Sequence, residues 1–189
     1  MKLKKINAAL SLLTTLTLFV HIGFTTYAFL TFFYNETLKN IFSYPFMVLT
    51  CLHAILGMCI VLFFNDGSKL ADYPKQNVET IGQRITGFLM LPLLILHLNT
   101  FKLLQSCAAD GKWFLFGLLI FSQVVFYVDV FAHTAVSFSR AFITLGKLSS
   151  IETKKKIDIV VYIVCAVCCA FVLFVTIKTE LAMFLPAQG

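Results

Sequence analysis

Four histidines, His21, His53, His97 and His133, are all the imidazoles of this 189-residue chain, and each falls inside a different long apolar stretch. An ionisable side chain within a bilayer is costly, and by default it faces the bundle interior for a functional reason. A single His in a span is about as often a structural hydrogen-bonding group. One on each of four successive spans, with none in a connecting segment, points instead to two sites of two imidazoles each. That is the axial ligation of two haem b irons, with His21, His53, His97 and His133 as the ligands.

The elements that must carry these ligands follow from composition. The chain is 59% hydrophobic, holds 21 Phe and has only 13% charged residues, which excludes an ordinary soluble domain of this length. Apolar runs of about 20 residues cross the hydrocarbon core as helices, because the core is about 30 Å thick and a helix rises about 1.5 Å per residue. The expected fold is all-α and polytopic, one membrane domain over residues 1–189. Its five transmembrane helices span about 8–33, 44–64, 85–104, 113–138 and 158–181 and form a haem-binding bundle. Lys2, Lys4 and Lys5 before the first run resemble the start of a signal peptide. The run continues through Phe33, past the length of a signal h-region, and no small-residue cleavage site follows, so it reads as a retained span.

Lysine and arginine in the short connecting segments set the expected orientation. One side collects Lys2, Lys4, Lys5, Lys69, Lys75, Arg84, Arg140, Lys147 and Lys154 to Lys156, whereas the other has Lys39, Lys102, Lys112 and Lys178. The N-terminus is therefore expected inside and the C-terminus outside, in the inner (cytoplasmic) membrane. The net charge of +6 reads as topology signal and headgroup contact, with no reason to invoke nucleic acid. The segments Asn65 to Gln83 and Arg140 to Ile157 read as the longer, inside loops, long enough to hold a soluble partner. Cysteine offers no disulfide framework. Five of the six lie in spans and only Cys107 is assigned to an outer loop, while Cys165-x-x-Cys168 reads as small apolar packing.

Depth restricts how the imidazoles pair. His21 lies 16 residues after Lys5 and His97 13 after Arg84, roughly 24 and 20 Å from the inner boundary, so they match well. His133 lies seven residues before Arg140 and His53 twelve before Asn65, roughly 10 and 18 Å from the inner boundary, a looser match. Gly57 and Gly87 lack a Cβ and would let a flat ring or a second backbone approach. Arg84 and Arg140, the only arginines, sit where haem propionates would emerge and suit bidentate carboxylate binding, although both also read as positive-inside anchors. Asp129, four residues before His133 on the same face, is a possible proton-relay group or a structural partner. Pro92 is expected to bend the third helix just before His97.

Two short stretches carry a family resemblance. Gln83-Arg84-Ile85-Thr86-Gly87, with His97 ten residues after the glycine, resembles the Q-R-x-T-G start of the third helix in dihaem cytochrome b anchor subunits of succinate dehydrogenases and fumarate reductases. His53-Ala54-Ile55-Leu56-Gly57 resembles their H-A-x-x-G on the second helix. Five spans with His on the first four are also theirs. The chain departs from the pattern at Ser11-Leu12-Leu13-Thr14, where those subunits often have Ser-x-x-Gly, and at Val136-Ser137, where they often have Asn-Gly. The resemblance implies that His53 and His133 hold the haem proximal to the soluble subunits and His21 and His97 the distal one. It further implies an FAD-bearing flavoprotein and an iron-sulfur subunit docked on the cytoplasmic side, since this chain has neither a nucleotide-binding fingerprint nor an exposed cysteine cluster.

The expected function is thus the haem-bearing, quinone-reactive anchor of a succinate:quinone oxidoreductase, in contact with membrane lipid and with a quinone, commonly menaquinone. Glu36, Asn99, Gln105 and Trp113 are candidates for the quinone site by position alone. Two rivals remain open. One is a cytochrome b subunit of a hydrogenase or another reductase, and the other is a non-redox transporter or assembly protein with structural histidines.

Overall fold

A computed structural model of the chain describes residues 2–63 and 74–185, the side chains of residues 74–77 excepted. The regular structure among the described residues is wholly helical, in the order α1 Lys2–Thr31, α2 Glu36–Phe63, α3 Pro74–Ala109, α4 Trp113–Thr144 and α5 Ile151–Phe184. All five are long and apolar enough to cross a membrane. Each extends beyond its apolar run at one end or both, although α1 stops at Thr31, short of Phe33, because hydrophobicity marks the length that must be dry whereas a helix ends where the backbone is made to turn.

That difference corrects two expectations. The segment from Arg140 to Ile157 is mostly helix, with only residues 145–150 between α4 and α5. In the other supposed loop, residues 64–73, including Lys69, lie outside the described residues, and α3 has begun by Pro74. Cys107 is likewise not in a loop but buried within α3. Both prolines inside helices, Pro45 in α2 and Pro92 in α3, leave their helices continuous.

The connections explain where the helices stop. Asn35 caps α2 by accepting from the Leu38 N–H at 3.0 Å, and Ser150 caps α5 by accepting from Thr153 N–H at 3.3 Å, as N-terminal amides require. Gly111 and Gly146 adopt φ of 67° and 74°, the left-handed backbone that ends a helix with little strain at glycine. Lys112 N–H closes onto Cys107 O and Lys147 N–H onto Phe142 O. At the first of these turns Lys112 Nζ donates to Asp110 at 2.8 Å, and that bond raises the ammonium's pKa above its ordinary value.

Hairpin α1/α2 and hairpin α3/α4 are the two halves of the bundle, with α5 packed on α4 and α1. Helix α4 lies at the centre and also contacts α1, whereas α2 packs extensively on α1 alone. Accordingly α4 buries side chains from Phe116 to Ala141, but α2 buries only Thr50. The core is built around Leu18, Phe126, Val130 and Phe131 at mid-height. A second cluster at the α3–α4 turn is centred on Leu104, Cys107, Phe116 and Leu119. At the other end, which carries most of the basic residues, Arg140 Nη2 donates to Thr80 Oγ1 at 2.6 Å. Lys154 there bridges Glu79 at 3.6 Å and Asp158 at 2.7 Å, so polar contacts tie α3, α4 and α5 together.

Candidate functional site

A buried neutral imidazole has one N–H to satisfy and one lone pair to offer, and which nitrogen does which depends on its neighbours. In this fold every Nδ1 meets a side chain from the other helix of its own hairpin. His21 Nδ1 is 3.3 Å from Ser43 Oγ, and His53 Nδ1 is 3.0 Å from Asn7 Oδ1. His133 Nδ1 is 2.9 Å from Thr86 Oγ1, and His97 Nδ1 is 2.6 Å from Gln123 Oε1. The four Nε2 atoms have no such partner among the described hydrogen bonds. A ring held at Nδ1 by an outer group, with Nε2 free, is the arrangement that metal-ligating histidines use.

The two imidazoles nearer the basic end, called the inner pair, face each other at a slot lined by α1 to α4. His53 and His133 have ring centres 6.4 Å apart at an interplanar angle of 64°. Two imidazoles on one metal, each bonded at about 2.0–2.1 Å with roughly 1.1 Å more from nitrogen to ring centre, stand about 6.3 Å apart. The observed spacing therefore suits a shared axial ligation. Among the described residues no cluster of three or more His, Cys, Asp or Glu forms a metal site.

Both rings line a slot of about 650 Å³ of atom-free space, counted out to its open mouth. Its walls include Leu18, Phe46, Met90, Phe126 and Val130. The slot runs from the inner histidines up to Phe46 and Phe126, the two rings that cover the outer ones. His21 stacks on Phe46 at 5.2 Å and His97 on Phe126 at 4.6 Å. No ring contact joins His21 and His97 among the described residues. The structure thus brings the inner pair together and leaves phenylalanines against the outer pair.

Three buried polar atoms at this slot and its inner end have no partner: Thr50 Oγ1, Ser137 Oγ and Arg140 Nη1. Ser137 and Arg140 follow His133 by one and two helical turns, on the same face of α4. Buried polar groups are nearly always satisfied, and these donors suit a carboxylate-bearing ligand such as a haem propionate. Arg84, the other expected propionate partner, is exposed.

The two glycines behave differently. A Cβ on Gly87 would stand 3.2 Å from His133 Cε1, whereas one on Gly57 would meet only Asn7 Nδ2 at 3.9 Å. Gly87 is therefore a close approach to an imidazole, and Gly57 is not a close approach at all. Gly87→Ala gains about 0.8–1.0 kcal/mol of helix propensity but overpacks at a cost of roughly 1–3 kcal/mol, and the net expectation is a loss of about 1 kcal/mol. Gly57→Ala keeps the propensity gain and should be slightly stabilising. Unfolding both variants side by side in mixed detergent micelles reads the difference. A stabilised Gly87→Ala would refute the close approach.

Asp129 is buried, and its Oδ2 has no hydrogen-bond partner; it forms no ion pair with a His or Arg among the described residues. Glu36, Asn99, Gln105 and Trp113 are all exposed, and Asn99 bonds back to Ile95 O of its own helix at 2.9 Å.

Sequence reading passed over Asn7, Ser43 and Gln123, the Nδ1 partners on facing helices, and gave no role to Thr86. For Thr86 and Gln123 a signal was available, since uncharged polar residues inside apolar spans bond across helices, but it names no partner; Asn7 and Ser43 each lie one residue outside the expected spans and gave none. Sequence reading also gave no role to a second acid within an apolar span. Glu180, near the end of α5, is buried to 4% exposure with its Oε2 unpartnered.

Comparison with protein-family models, with curated proteins and with solved structures gives no match to this chain.

Proposed function

We propose that this chain is the haem b-bearing membrane anchor of a succinate:quinone oxidoreductase, exchanging electrons between a flavoprotein/iron-sulfur pair and a membrane quinone. The observation that carries the reading is the imidazole set: four Nδ1 atoms each engaged from a neighbouring helix, and His53 and His133 facing at 6.4 Å over an open slot.

A haem b supplies a one-electron carrier whose potential is tuned by its axial ligands, their hydrogen bonds and burial. This chain's residues have the following parts. His53 and His133 hold the inner haem, and His21 and His97 the outer one. Ser137 and Arg140 receive propionate carboxylates at the inner site, and Gly87 leaves room for the His133 ring. Phe46 and Phe126, stacked on His21 and His97, would have to turn aside to admit the outer group. Asn7, Ser43, Thr86 and Gln123 keep the rings aimed.

The basic end is the cytoplasmic side of the inner membrane, with the N-terminus inside and the C-terminus outside. It supports the docking of the two soluble subunits, which bring FAD and iron-sulfur clusters. The quinone, menaquinone in this reading, meets the chain near the outer haem.

The test is a reduced-minus-oxidised spectrum and a pyridine haemochrome titration of the chain purified with its partners after expression in haem-replete cells. Two b haems per chain are expected. Absence of haem would overturn the proposal and leave the histidines as interhelical hydrogen-bonding groups.

A further inference from the structure

The partner of His97, Gln123, is itself locked. Thr86, the partner of His133, also commits its hydroxyl, to Gly82 O at 2.9 Å, but only Gln123 is held through a further side chain among the described hydrogen bonds. Gln123 Nε2 lies 2.6 Å from Thr100 Oγ1, and Thr100 Oγ1 lies 2.8 Å from Leu96 O, one turn back on α3. Gln123 and Thr100 are each only 2% exposed, so water does not complete their hydrogen bonding.

The proton positions follow by elimination. A carbonyl oxygen only accepts, so the Thr100 hydroxyl donates to Leu96 O. With its one proton committed, Thr100 Oγ1 accepts from the side-chain amide of Gln123. Gln123 Oε1 is then the atom facing His97, and it accepts from Nδ1–H. The reversed amide would set Oε1 against Thr100 and require that hydroxyl to donate there, leaving two oxygen acceptors 2.8 Å apart at Leu96. Buried without water, that arrangement is disfavoured.

We infer that Gln123 is a positioning residue that holds His97 in the Nδ1–H tautomer, with its Nε2 lone pair directed away from the α3/α4 interface. The orienting chain runs Leu96 O, Thr100 Oγ1, Gln123, His97 Nδ1. Helix α3 thus fixes its own histidine through a residue of α4. His21 has only Ser43 at 3.3 Å, a hydroxyl free to donate or accept, so the outer two imidazoles are held unequally.

The consequence for a haem ligand rests on the proposed function, whereas the tautomer does not. A strong acceptor at Nδ1–H makes the imidazole a better donor at Nε2, which favours the oxidised metal. Gln123→Leu should therefore raise the potential of the outer haem and Gln123→Glu lower it, with the inner haem unmoved in both. A merely structural role for Gln123 would not separate the two haems or reverse sign between the variants.

The decisive experiment is a ring ¹⁵N spectrum of the full chain, labelled at histidine and kept free of haem in detergent micelles near neutral pH, with His97 assigned by His97→Ala. Wild type should give a protonated Nδ1 and a bare Nε2 at His97. Gln123→Leu should shift that signal toward the Nε2–H form, and Thr100→Val, close to isosteric and so sparing of the fold, should give a mixture. A wild-type His97 found as Nε2–H, or a tautomer unmoved by either variant, would overturn the inference. Redox titration of the haem-loaded protein is the second arm. Should the tautomer behave as described while no haem is ever bound, the inference stands and the proposed function fails.

Discussion

Replacing His53 and His133 together with alanine is expected to remove one haem per chain and no more, the same loss as either replacement alone. Replacing His53 and His97 together should remove both. The contrast follows from the proposed pairing: a haem that loses one axial imidazole is lost whether or not the other remains, whereas histidines of different pairs fail independently. The 6.4 Å separation of the His53 and His133 rings is the geometric basis, and Nδ1 anchoring of each ring by its own hairpin means that deleting one leaves the other in place. Haem per chain by pyridine haemochrome, with the low-spin signals followed by electron paramagnetic resonance, measures it. One haem retained in the His53/His97 double variant would show that the pairing is wrong.

The largest effect on stability away from the slot is expected at Leu104. It is fully buried, packed with Cys107, Phe116 and Leu119 and flanked by Leu181 and Phe184 of α5. In a bilayer the apolar tail regions solvate Leu as well as another helix does, so its worth lies in van der Waals packing. Leu104→Ala opens a cavity that three helices cannot close, and a loss of about 2–4 kcal/mol is expected. Ile95, on the same helix but 66% exposed, faces the surroundings, and Ile95→Ala should change stability by no more than about 0.5 kcal/mol. Unfolding in mixed micelles compares them. Equal effects would mean that the cluster at the α3–α4 turn contributes no packing of its own. Because Leu104 lies two turns beyond His97, its loss should also loosen the outer site before the inner one.

How much of this was legible beforehand differs residue by residue. The five helices were, because crossing a dry core of known thickness imposes a length on each apolar run, and length is a property of the chain read in one dimension. Their ends were not. Arg140 to Ile157 looked like a loop because it is polar, yet it is mostly helix, since polarity marks the boundary of the bilayer and not the end of the hydrogen-bond ladder. The histidines stood out because an imbedded imidazole is rare enough to notice.

Neighbours across helices were not legible. The spans are apolar nearly all round, so no polar stripe reveals how each helix is rotated about its axis. That rotation is what separates Gly87, 3.2 Å from an imbedded ring, from Gly57, which touches almost nothing. It is also what buries Glu180, turns Ser137 and Arg140 toward the end of the slot, and sets Gln123 against His97. Residue types and their order along the chain were enough to name a membrane bundle and its four imidazoles. Which side chain holds each imidazole depends on how the two helices of each hairpin are rotated against each other, and such contacts have no expression in local sequence.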